Sequence, residues 1–81
     1  MDKTIVLDCA PGYPRPGDLI EDVMADSGVK YDGRAPISKL FGSWQWDFSD
    51  VPDAEWLKAK PVFKARIEAL YHAGTIRYGS W

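Results

Sequence analysis

The chain has 81 residues and a mass of 9.1 kDa, which is room for one domain, residues 1–81, with one modest core. Hydrophobic residues at 46% and charged residues at 27% exclude a disordered, fibrous or multiply membrane-spanning chain. The net charge of −2 divides unevenly: residues 1–57 carry five Lys/Arg against eleven Asp/Glu, and residues 58–81 carry five against one, so the halves stand at −6 and +4. A pI of 5.2 speaks against a wholly basic nucleic-acid binder and leaves a basic face on the last third as the only place for one.

Cys9 is the one cysteine, so no internal disulfide and no Cys/His zinc site is expected. The N-terminal stretch lacks the apolar core of a secretory signal, and no run approaches the ~18 apolar residues of a membrane span, so a cytoplasmic location is expected.

In chain order, Thr4-Ile5-Val6-Leu7 is β-branched, bounded by Asp8 and a Pro/Gly cluster, and predicts a strand over residues 4–8. Residues 10–17 hold three prolines and two glycines and predict a semi-rigid loop. The loop lacks the Lys-Ser/Thr ending of a phosphate loop, and its prolines remove N–H donors that would cradle a phosphate. Residues 18–27 read as a helix. Asp18 is the expected N-cap with Glu21 completing a capping box, Gly28 the expected left-handed stop, and Leu19, Ile20, Val23 and Met24 the apolar stripe. Residues 36–41 fit a helical turn or the start of a strand equally well.

Residues 43–48 alternate strictly, with Trp44, Trp46 and Phe48 on one strand face and Gln45 and Asp47 on the other. Residues 53–73 predict helix, with Pro61 expected either to kink it or to divide it in two. The predicted buried stripe is Trp56, Ala59, Phe63, Ile67, Leu70 and Ala73. Residues 75–78 close the pattern as a terminal strand. The architecture expected is α+β: a small three-stranded sheet covered on one face by two or three helices, its strand order open.

Catalytic candidates are few. His72 stands near a helix end, where the dipole favours a cation, and Cys9 has no activating base in sequence view. No carboxylate pair is singled out by spacing, so no catalytic, cofactor or metal residues are assigned and no enzyme is expected. Four Trp and four Tyr exceed what so small a core absorbs, and these residue types dominate protein-interface hot spots. The partner-binding residues expected are therefore Tyr78 and Trp81, extended by Trp44 and Trp46 if the two strands are neighbours.

Two resemblances add to this. Residues 63–73 followed by Gly74-Thr75-Ile76-Arg77-Tyr78 resemble the recognition-helix-to-wing passage of winged-helix proteins, over about a fifth of the chain. No strand returns after Trp81 to complete a wing, and an upstream three-helix core is not evident. The resemblance implies a nucleic-acid-binding alternative, for which Lys58, Lys60, Lys64, Arg66 and Arg77 are the contacts. The phrases Phe41-Gly42-Ser43-Trp44-Gln45-Trp46-Asp47 and Ile76-Arg77-Tyr78-Gly79-Ser80-Trp81 are similar to those of small proteins of tailed phages and prophages. That likeness implies a minor virion component, for instance of the tail, or an inhibitor of a host factor. Either would work through contacts with a phage structural protein or a host protein.

Overall fold

The computed structural model describes residues 1–9, 15–31, 35–39 and 42–81. The order of elements is β1 (Thr4–Cys9), α1 (Pro16–Met24), β2 (Ser43–Asp47), α2 (Asp53–His72) and β3 (Ile76–Ser80). The three strands form one antiparallel sheet in the order β2-β1-β3, with the helices on one face, so the α+β architecture is the one expected. β1 is central because its alternation is complete: Ile5, Leu7 and Cys9 are buried while Thr4, Val6 and Asp8 turn to the other face. Trp46 pairs opposite Ile5 and Trp44 opposite Leu7, which places both indoles on the covered face. β2 and β3 are not neighbours, since β1 runs between them.

α1 begins earlier than its capping signals suggest. Pro16 occupies the first turn, Arg15 is the N-cap residue without a side-chain cap, and Asp18 lies inside the first turn paired with Arg15 at 3.5 Å. Proline's fixed φ suits the helix start and its missing N–H costs nothing there, so it displaces Asp18 from the cap position. The helix also ends before the expected Gly28. Ser27 Oγ donates to the Met24 carbonyl at 2.6 Å and accepts from the Val29 N–H at 3.0 Å, turning the chain within residues 25–29. The apolar stripe Leu19, Ile20, Val23 and Met24 is buried as expected. The proline-rich stretch falls partly on residues 10–14, outside the described residues.

Of the ambiguous residues 36–41, Ile37 and Ser38 run along the outer edge of β2. The Ile37 N–H donates to the Gln45 carbonyl at 2.7 Å and the Gln45 N–H to the Ser38 carbonyl at 3.0 Å. Residues 40 and 41 lie outside the described residues.

α2 is a single helix that runs through Pro61. Pro61 and Leu57, the residue whose carbonyl loses its intrahelical donor, are both exposed, so the unpaired group lies on the solvent side of the helix rather than in the core. The core stripe is Trp56, Ala59, Phe63 and Ile67. Leu70 is half-buried, and Ala73 is exposed because the helix ends at His72 and the chain turns at Gly74, whose φ is +77°. Phe48, Trp56 and Phe63 stack in sequence, with ring centroids 5.7 and 4.8 Å apart. At the start of α2, Lys3 Nζ donates to the Val51 carbonyl and pairs with Asp53 at 2.6 Å, while the Phe48 N–H donates to the Lys3 carbonyl at 2.9 Å. Lys3, the residue just before β1, thereby anchors the turn that launches the helix.

Candidate interaction surface

α2 lies against β3 on one flank and against α1 on the other. The α1 side is fixed by Arg66, whose guanidinium spans Asp22 at 3.4 Å and Asp26 at 2.5 Å. At 100° per residue, Leu57, Lys60, Lys64, Glu68 and Tyr71 fall on the opposite flank of α2, away from α1. That flank overhangs β3, an edge strand with no strand beyond it among the described residues. β3 is shaped by a bulge: Cys9 pairs with Ile76 and Asp8 with Tyr78, leaving Arg77 as the extra residue. Arg77 reaches Asp8 at 3.3 Å across the sheet face turned away from the helices.

Between helix and strand runs an open cavity of about 310 Å³, lined by Ile67, Glu68, Tyr71, Arg77, Tyr78, Gly79 and Trp81. Its floor is possible because position 79 carries no side chain: a Cβ there would run into the Ile67 Cγ2 methyl and lie 3.3 Å from Ile76 Cδ1. The rim is aromatic, with Tyr71 and Tyr78 exposed at 56% and 57% and Trp81 half-buried against the core. Leu57, Tyr71 and Tyr78 are three of the five exposed large hydrophobic residues among the described residues; Tyr71 and Tyr78 rim the groove, and Leu57 lies further along the outer flank of α2.

The expected aromatic contacts therefore separate. Tyr78 and Trp81 both stand at the β3 edge, but Trp81 packs toward the core while Tyr78, opposite Asp8, turns to the sheet face away from the helices. Trp46 is fully enclosed and offers a partner no surface in this fold. Trp44 is half-buried two strands away, with Lys39 Nζ 5.6 Å above its ring. Period-two spacing places Trp44 and Trp46 on one face but says nothing of depth along the strand. Tyr71, Leu57 and Ile67 were missed as site residues, because helical periodicity alone does not tell which flank of α2 meets the sheet edge.

The five cations do not form one basic face. Lys60 and Lys64 lie on the outer flank. Arg66 is bound to the α1 acids and Arg77 to Asp8, and Lys58 lines a separate polar depression of about 220 Å³ with Ser27, Gly28, Val29 and Glu55. Two helices accompany the sheet among the described residues, so the three-helix core of a winged helix is not seen there.

Cys9 is buried, and burial followed by the neighbouring Asp8 carboxylate pushes its thiol above the ordinary value, away from the nucleophilic form. His72 is exposed in the last turn of α2, edge-on to Tyr71 at 5.6 Å. Among the described residues no group of three or more His, Cys, Asp or Glu side chains is placed to hold a metal ion. No helix of the described residues is long and apolar enough to cross a membrane. Neither a known protein family, nor a curated protein, nor a solved structure matches the chain.

Proposed function

We propose that the chain is a non-enzymatic protein-binding module that works through the α2–β3 edge. The observation that carries this is the set of aromatic side chains Tyr71, Tyr78 and Trp81 around an open cavity beside an edge strand, with exposed Leu57 further along the same flank of α2. Aromatic side chains beside a groove are the composition of interface hot spots, and an open strand edge supplies backbone donors and acceptors for a partner. The phage-like phrases make the concrete version a small phage or prophage protein in the host cytoplasm, acting as a virion component or as an inhibitor of a host factor. The test is purification of the tagged chain from cells that naturally carry its gene. A stoichiometric protein partner that is lost with Tyr78→Ala supports the reading. Recovery of nucleic acid, released when Lys60 and Lys64 become Glu, would replace it with the nucleic-acid alternative.

A further inference from the structure

The two edges of the sheet are not equivalent. Residues 37 and 38 close the outer edge of β2 with two backbone hydrogen bonds, whereas β3 stands at the margin of the sheet. Beside β3, the outer flank of α2 carries two opposite charges one turn apart, Lys64 and Glu68. Both are exposed, and neither makes an ion pair among the described residues, although an i,i+4 pair is within reach of such side chains. The order Lys before Glu is the weaker of the two i,i+4 orientations, which leaves both groups available.

Helix and strand are also aligned in a particular way. Ile67 sits over Gly79, so the C-terminal part of β3 lies beneath the stretch of α2 between Lys64 and Glu68. A two-fold axis at the outer edge of Gly79 would therefore serve both layers at once. In the sheet, β3 would meet its own copy antiparallel, with Tyr78 opposite Ser80 of the second copy. In the helix layer, the two α2 helices would run antiparallel, with Lys64 opposite Glu68 of the second copy and Glu68 opposite its Lys64.

From this we infer that the partner fitting the α2–β3 edge is a second copy of this chain, joined in a two-fold dimer with a six-stranded sheet. The inference rests on the proposed role of that edge and names its occupant. Three observations support it together: the open edge, the exposed side chains of Leu57, Tyr71 and Tyr78, and a charge pattern that is self-complementary only under antiparallel two-fold pairing. A shared sheet also extends the limited core of a domain this small, whose accessible surface is 4891 Å².

Sedimentation equilibrium of the full chain and three variants tests it. Wild type is expected to show a reversible monomer–dimer equilibrium. Lys64→Glu and Glu68→Lys should each weaken it by about tenfold or more, because each sets like charges face to face at two symmetry-related places. The double variant, Lys64→Glu with Glu68→Lys, should return to wild-type association, since the swap restores both pairs. Circular dichroism confirms that the exposed substitutions leave the fold intact. A wild-type chain that stays monomeric, a dimer indifferent to either single change, or a double variant no better than the singles would each overturn the second-copy assignment. A monomeric chain that still binds another protein in a Tyr78-dependent way would remove this inference and leave the edge reading standing. An edge variant that alters neither association nor partner binding would remove both.

Discussion

Gly79 lies directly beneath Ile67, on the covered face of the sheet opposite Leu7, and the two backbones approach as closely as they do because one of these positions has no side chain. This contact seats α2 on the edge strand and so creates the groove. Gly79→Ala should overpack the site and cost about 1 to 3 kcal/mol, read as a lower midpoint in urea unfolding with an unchanged slope. Unchanged stability would mean that α2 does not rest on β3 at this point.

The aromatic stack gives a second, larger effect. Phe63 is fully buried with its ring 4.8 Å from Trp56, so Phe63→Ala should cost about 3 to 5 kcal/mol. In an 81-residue domain that is enough to leave a substantial unfolded population at ordinary temperature. A thermal midpoint close to wild type would contradict the assigned helix register.

Acid stability should depend on the clamp at the start of α2. The hydrogen bond and the charge of Lys3 hold the Asp53 carboxyl below its ordinary value. A carboxylate whose folded value is depressed contributes stability that is present above its unfolded value and is lost as pH falls through the folded one. Asp53→Asn should therefore flatten the acid limb of the stability profile and leave neutral-to-alkaline differences constant. An unaltered acid limb would show that the Lys3–Asp53 pair contributes nothing in solution.

Cys9 behaves oppositely. Its thiol is raised by burial, so its contribution is complete below the ordinary thiol value and is lost as pH climbs through the folded one. The native protein should react with a thiol reagent only as fast as it opens, far more slowly than in urea, and Cys9→Ala should remove the alkaline part of the pH dependence. Rapid labelling of the folded chain would place Cys9 at the surface.

Much of this fold is legible in the residues, and the failures have physical causes. The alternation at Trp44, Trp46 and Phe48 and the threes and fours from Trp56 to Ile67 report which face is apolar, and both faces are buried. The same patterns do not report order or depth. That β1 is central, which encloses Trp46 and separates Trp44 from Tyr78, follows from pairing between distant segments. At the start of α1, Asp18 and Pro16 both signal a helix beginning, and proline's fixed backbone prevails. Half of the candidate surface, Tyr78 and Trp81, was visible as surplus aromatic residues near the end of the chain. The other half, Leu57 and Tyr71, was hidden because it depends on which flank of α2 overhangs the sheet.

The most direct test of the α2–β3 edge as a protein-binding surface is a calorimetric titration of the partner recovered with the chain, whether another protein or a second copy, against wild type, Tyr71→Ala and Tyr78→Ala. Both tyrosines are more than half exposed, so their removal should leave the thermal midpoint nearly unchanged. The expected result is a loss of binding of about 2 kcal/mol or more for at least one of the two variants. Wild-type affinity in both variants, with the fold intact, would contradict the assignment of this edge.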